Sequence, residues 1–205
     1  MKLYNSVGPN PHVVRMFAAE KGIDLARQDV NLMAGENRKP PYNETVNPAG
    51  QLPALELDNG KTIAEITVIC EYLEEIHPTP ALIGTTPEER AEARMWTRRI
   101  DLGICEPMGS GFRAAEGRGL FESRMKLVGP EGAADLKAIA QDKILWLDAQ
   151  MGDNEFVCGN RLTLADFLLF GFLKFGAGVG QQIPDGANWV KAWYARMADR
   201  PSTAA

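Results

Sequence analysis

Only two histidines and three cysteines occur in this chain of 205 residues. Those two histidines, His12 and His77, lie 65 positions apart, so neither a zinc-type ligand set nor a Ser-His-Asp arrangement is expected. Cys70, Cys105 and Cys158 are odd in number, far apart and outside any Cys-x-x-Cys spacing. They read as reduced thiols, at least two of them core residues. No apolar run approaches the roughly 20 residues that span a bilayer. No basic-then-apolar segment opens the chain after Met1-Lys2-Leu3-Tyr4. Nor is there a basic stripe of the kind that nucleic-acid partners leave: net charge is -5, with Lys and Arg scattered among Asp and Glu. Internal repeats and low-complexity tracts are missing too. What remains is ordinary globular composition, 45% hydrophobic and 24% charged, and a cytoplasmic location is expected.

The first 78 residues alternate strand-like and helix-like segments. Met1 to Tyr4 reads as a strand, and Gly8-Pro9-Asn10-Pro11 as a turn into a helix that stops at Gly22. Asp24 to Val30 is a second strand, and Pro40 to Val46 a short irregular helix. Ala54 to Leu57 alternates, and Asp58-Asn59-Gly60 is a hairpin turn leading to Lys61-Thr62-Ile63. Ile66 to Ile76 carries Ile69, Cys70, Leu73 and Ile76 on one helical face. The order is β-α-β-α-β-β-α, with strands 1 and 2 parallel and the late hairpin antiparallel. His77-Pro78-Thr79-Pro80 then reads as a linker.

From residue 87 onward only helices are expected. Thr86 caps one that begins Pro87-Glu88-Glu89, passes Met95, Trp96, Ile100 and Ile104, and bends near Pro107. Another runs from Glu131 to Met151. Thr163-Leu164-Ala165-Asp166 has capping-box spacing ahead of an apolar run, and Ala187 to Met197 forms the last helix.

Two stretches point to chemistry. In Asn47-Pro48-Ala49-Gly50-Gln51-Leu52-Pro53-Ala54 a proline stands just before a strand. A cis bond there would turn the Leu52 N–H and C=O outward, where an extended ligand can pair with them; a trans proline at a strand edge is the plainer reading. Glu65 precedes a helix start, so its carboxylate and the free N–H groups could together hold an ammonium and a carboxylate on one carbon. Its plainer role is as a partner of the helix dipole.

Gln51-Leu52-Pro53-Ala54-Leu55 and Ala64-Glu65 with its helix start, followed by Phe156 to Asp166 and Trp193 to Ser202, resemble the cytosolic glutathione transferases. Asn31-Leu32 with Gly35-Glu36, Leu55 to Asp58 and Ala81 to Gly84 are most similar to an atypical fungal and bacterial group that lacks the usual catalytic Tyr, Ser or Cys. The resemblance implies a thioredoxin-like glutathione-binding domain over residues 1–78 and an all-helical domain over 87–205 that carries the electrophile side. It also implies glutathione as co-substrate, no metal, and a homodimer.

By that resemblance Leu52 pairs with the cysteinyl part of glutathione, Pro53 is the cis proline, Glu65 and the Ile66 N–H hold the γ-glutamyl group, and Lys39 and Gln51 meet the glycine end. Many relatives carry Ser where Ile66 stands. The position before a proline that usually holds Ser or Cys is Gly8, so the thiolate needs another donor. Asn10 and the backbone N–H groups of the helix start are the favoured ones, although Asn10 also suits a plain cap; Ser6 and Tyr4 are the alternatives. Gly8, Ser110 and Arg113 are assigned to the electrophile pocket, Arg113 having a solvated surface role as its plainer reading. A glutathione transferase with peroxidase or disulfide-reductase side activity is the leading expectation. The alternatives are a non-catalytic glutathione-binding or regulatory protein and, less favoured, a glutathione-dependent isomerase or dehalogenase.

Overall fold

Alternating apolar residues make Leu3 and Leu55 inward-facing and fully buried, and they sit opposite each other at the centre of a four-stranded sheet. A computed structural model describes all residues, 1–205. Its strands are β1 (Lys2–Asn5), β2 (Ala26–Asp29), β3 (Ala54–Glu56) and β4 (Thr62–Ala64), in the order β2-β1-β3-β4. β1 and β2 are parallel, joined through helix α1 (Pro9–Glu20), and the β3–β4 hairpin is antiparallel, as its turn residues require. Helix α2 (Ile66–Ile76) buries Ile69, Cys70 and Leu73. The mixed sheet with its two helices is the thioredoxin-like arrangement expected from the element order. The irregular helix expected over Pro40 to Val46 is a π turn at Tyr42–Val46, and a separate 3₁₀ turn at Glu36–Arg38 precedes it.

The chain divides into two compact units, Met1–Leu82 with Pro201–Ala205, and Ile83–Arg200. The helical domain was expected to run to residue 205, but the last five residues group with the first unit. There the Thr203 carbonyl lies 3.1 Å from His12 Nε2, and the Ser202 hydroxyl donates to Glu20 at 2.6 Å.

The first unit also holds a buried ion pair. Lys21 donates to Glu74 at 2.6 Å and to the Pro80 carbonyl at 2.6 Å, while Glu74 accepts from the Leu82 N–H at 3.0 Å. The start of the linker is thereby tied to the ends of α1 and α2.

The second unit is all helix. Thr86 and Glu89 form the capping box that starts α3 (Pro87–Ile100). Pro107 has no N–H, and its ring would strike the carbonyl four residues back, at Gly103. The chain accommodates it with a π turn over Asp101–Cys105 before α4 (Glu106–Ala114), so the expected bend is a local widening. After the short α5 (Arg118–Phe121) come α6 (Pro130–Met151), the apolar α7 (Leu164–Gly178), which packs on α3, and α8 (Asn188–Ala198), which packs on α6. Asp166, completely buried, accepts from the Val157 N–H (2.9 Å), the Thr163 N–H (2.9 Å) and hydroxyl (3.1 Å), and the Trp193 indole (3.0 Å). Burial raises its carboxyl to about 6, against the pull of those donors. All three cysteines are buried free thiols, each pushed up by desolvation. No helix is long and apolar enough to cross a membrane.

Candidate functional site

The strand register gathers most of the expected first-unit residues at one end of the sheet. Ala54 pairs with Tyr4 and with Ala64, so β1 ends, β3 begins and β4 ends at the same edge. Leu52 and Pro53 stand just before Ala54, Glu65 and Ile66 just after Ala64, and Gly8 and Asn10 in the turn that follows β1.

The Leu52–Pro53 peptide is cis. The Leu52 side chain packs on a buried cluster of Tyr4, Val30, Tyr42 and Ala54, while its backbone N–H and C=O have no partner within the chain. A half-buried pair of this kind is an unsatisfied strand edge, able to accept an extended peptide.

Glu65 is the one non-glycine residue with positive φ (72°, with ψ 129°). A side chain in that region is strained by about 1–3 kcal/mol, and such strain concentrates at ligand clamps. The Glu65 carboxylate is exposed and makes no cap to its own helix. Its carbonyl accepts from the Ile69 N–H at 2.9 Å, which leaves the N–H groups of Ile66, Thr67 and Val68 as the unpaired donors of α2. A carboxylate beside free N–H groups at a positive helix end suits a ligand carrying an ammonium and a carboxylate together. Ile66 offers only its N–H, but the half-buried Thr67 follows it.

At the start of α1 the backbone is constrained in a different way. Gly8, the N-cap, has φ 108° and ψ 171°, with nothing within 4 Å of where a Cβ would stand. There is room for a side chain, but the conformation suits glycine, so a hydroxyl or thiol at this position would need a different turn. Pro9 and Pro11 carry no N–H, so Asn10 supplies the one backbone donor among the first three helical residues. Its side chain is half-buried and makes no hydrogen bond, so it does not cap the helix. Both alternatives to it are committed elsewhere. The Ser6 hydroxyl donates to the Val30 carbonyl at 2.8 Å, and the Tyr4 hydroxyl donates to Glu56 at 2.7 Å, toward the opposite end of the strand.

Gln51 and Lys39 belong to neighbouring loops. Arg38 donates to the Ala49 carbonyl (3.1 Å) and Asn37 to the Gly50 carbonyl (2.6 Å), which ties residues 36–39 to residues 47–51. The exposed Lys39 ammonium donates to the Ala34 carbonyl at 3.3 Å, and the Gln51 side chain is exposed. Gly50 needs its φ of 59° and its missing Cβ, which would lie 2.7 Å from Arg38 Cδ. Sequence reasoning did not find Asn37, Tyr42 and Asn47, whose side chains hold this loop. The Tyr42 hydroxyl donates to the Gln51 carbonyl at 2.6 Å, and Asn47 donates to the same oxygen at 3.0 Å. Burial raises the Tyr42 hydroxyl well above its ordinary value, so it stays a donor. Asn47 also accepts from the Ala49 N–H at 3.1 Å, a turn that an Asn two residues upstream does signal; Tyr42 left no comparable sign.

In the helical unit, Ser110 and Arg113 lie on one face of α4 with Glu106. The Ser110 hydroxyl donates to Glu106 at 2.8 Å, and Arg113 reaches both Glu106 and Ser110 at 3.4 Å. An ion pair this exposed is worth at most about 1 kcal/mol, so Arg113 is easily diverted to another anion. No group of three or more His, Cys, Asp or Glu side chains is arranged to hold a metal ion.

Comparison with known proteins finds relatives along most of the chain. Residues 7–76 match the family described as glutathione S-transferase, N-terminal domain, and residues 134–201 match glutathione S-transferase, C-terminal domain. The chain is 34% identical over 205 residues to glutathione S-transferase 2 of Saccharomyces cerevisiae, covering 98% of this chain and 87% of that one. It superposes on the crystal structure of Gtt2 from the same yeast with a TM-score of 0.92 at 33% identity, over 100% of this chain and 99% of the other. A glutathione S-transferase domain-containing protein of Marinobacter aquaeolei VT8 is as similar, with a TM-score of 0.92 and 35% identity over 99% of this chain and 100% of that one.

Proposed function

Because this chain belongs to the glutathione S-transferase family, we propose that it binds glutathione in the first unit and activates the thiol for attack on a small electrophile. The carrying observation is the strained Glu65 at the unpaired start of α2, at the same sheet end as the unpaired backbone groups of Leu52. In this reading Glu65 takes the γ-glutamyl ammonium and the Ile66 N–H takes its carboxylate. The Leu52 N–H and C=O pair with the cysteinyl residue, which the cis Pro53 follows, and Gln51 and Lys39 serve the glycine end.

The thiol of free glutathione is mostly protonated at neutral pH, so the protein must favour the thiolate. Asn10 does this with its side-chain amide and its backbone N–H, the donors that the two flanking prolines leave at the start of α1. Nucleophilic attack then joins the sulfur to the electrophile: in a substitution the leaving group departs to solvent, and in an addition the carbanion that forms takes a proton from solvent. Gly8 leaves space beside the sulfur for a small acceptor or a second thiol, which suits peroxidase or disulfide-reductase side activity. Ser110 and Arg113 are assigned to the acceptor, Arg113 to steady a developing anion. The family resemblance further implies a cytoplasmic homodimer.

Two observations favour a second reading, a non-catalytic glutathione-binding or regulatory protein: Gly8 has no hydroxyl to offer, and Ile66 lacks the one that many relatives supply. The test is Asn10→Ala, with conjugation of an aryl halide followed at saturating glutathione. Losing a hydrogen bond to a charged sulfur removes about 1.5–3 kcal/mol, so kcat is expected to fall roughly 10- to 100-fold. An unchanged kcat removes Asn10 from the chemistry, and a wild-type protein with no conjugation favours the second reading.

A further inference from the structure

Three consecutive carbonyls ahead of the cis proline, those of Ala49, Gly50 and Gln51, are each gripped by a side chain from residues 37–47. Arg38 holds the first at 3.1 Å, Asn37 the second at 2.6 Å, and Tyr42 and Asn47 together hold the third at 2.6 and 3.0 Å. Asn37, Tyr42 and Asn47 are buried, at 2%, 4% and 7% exposure. In a trans peptide the N–H points opposite to the C=O. Fixing the Gly50 and Gln51 carbonyls on the buried side therefore fixes the Gln51 and Leu52 N–H groups on the other side. Neither of those N–H groups has a partner within the chain.

From this we infer that Tyr42 and Asn47, with Asn37 one peptide upstream, are positioning residues for glutathione: they orient and polarise the peptide whose Leu52 N–H pairs with the ligand. The inference rests on the glutathione reading above. Two donors on one carbonyl draw electron density from the amide and make its N–H a stronger donor, as in any hydrogen-bonded chain of peptides. They also hold the edge in its ligand-pairing orientation before the ligand arrives, so little ordering remains to be done on binding. The wall is rigid for a structural reason. Tyr42 packs edge-on against Tyr4 with ring centres 5.8 Å apart, Asn47 is held in turn by its own bond from the Ala49 N–H, and Gly50 has no room for a side chain.

The test compares wild type with Tyr42→Phe, Asn47→Ala and the double variant. Glutathione affinity is measured by calorimetry, and the Leu52 amide proton is followed by NMR during the same titration. Tyr42→Phe keeps the ring and its packing and removes one donor. It is expected to weaken glutathione binding about 3- to 10-fold and the double variant several-fold more. The downfield shift of the Leu52 amide on binding is expected to shrink in step. A merely structural role would lower the melting temperature and leave that shift intact. Wild type that binds glutathione, with Tyr42→Phe and the double variant binding equally well and showing the same Leu52 shift, overturns the positioning role alone. Wild type that does not bind glutathione overturns the reading on which the role rests, and the role with it.

Discussion

Glu65 ties stability and function together at a single dihedral angle. Its φ of 72° and ψ of 129° hold a Cβ in a region that glycine alone enters freely, a strain of about 1–3 kcal/mol. Its carboxylate is exposed and bonds to nothing in its own helix, so removing it takes little from the fold. Two substitutions separate the effects. Glu65→Ala removes the carboxylate and keeps the strained Cβ, whereas Glu65→Gly removes both. Glycine gives back roughly 0.5–1 kcal/mol through the freer unfolded chain. The glycine variant is therefore expected to be more stable than the alanine variant by about 0.5–2 kcal/mol. For a chain of this size each kcal/mol moves the melting temperature by about 2–4 °C, so differential scanning calorimetry resolves the difference. Both variants lose the charge-assisted bond to the γ-glutamyl ammonium, worth about 1.5–3 kcal/mol, and should bind glutathione roughly 10- to 100-fold more weakly. An alanine variant as stable as the glycine variant refutes the strain; either variant binding like wild type refutes the clamp.

Two further predictions concern the supports of the fold. Asp166 has its carboxyl held at about 6 by burial, above an unfolded value of about 3.9, so the folded state binds that proton more tightly. The stability this contributes is whole below pH about 4 and is lost as pH rises through about 6. The stability advantage of wild type over Asp166→Asn in urea unfolding should therefore shrink, by roughly 2 kcal/mol, between pH 4 and pH 7, and a constant difference contradicts it. Lys21→Met leaves Glu74 charged and buried, where its side chain is 1% exposed, and should destabilise by about 3–5 kcal/mol. Lys21→Met with Glu74→Leu should recover part of that loss, short of wild type because the Leu82 N–H and the Pro80 carbonyl lose their partners; a double variant no better than the single one contradicts the buried-charge account.

Local signals in the sequence account for most of the fold. Asp58-Asn59-Gly60 announces the hairpin, Thr86 with Glu89 the start of α3, and Thr163 with Asp166 the start of α7, because turns and caps are made by residues close in the chain. The π turn at Asp101–Cys105 was legible only as a bend, since a proline says that a helix must yield and not how. Two of Asp166's partners, Val157 and Trp193, depend on tertiary packing. So do the side chains of Asn37 and Tyr42 on the loop before Leu52. The site follows the same division. Leu52, Pro53 and Glu65 stood out because a proline before a strand and an acid before a helix are local features. The positive φ of Glu65, the commitment of Ser6 to Val30 and the free amide of Asn10 are visible only in three dimensions.

In the proposed function the first unit holds glutathione and favours its thiolate. The most direct measurement is calorimetric binding of glutathione to the purified protein, with the ultraviolet thiolate band of the bound ligand titrated against pH in the same sample. Binding with a thiol pKa well below the roughly 8.5 of an ordinary thiol is the predicted result. No binding at millimolar glutathione would contradict it.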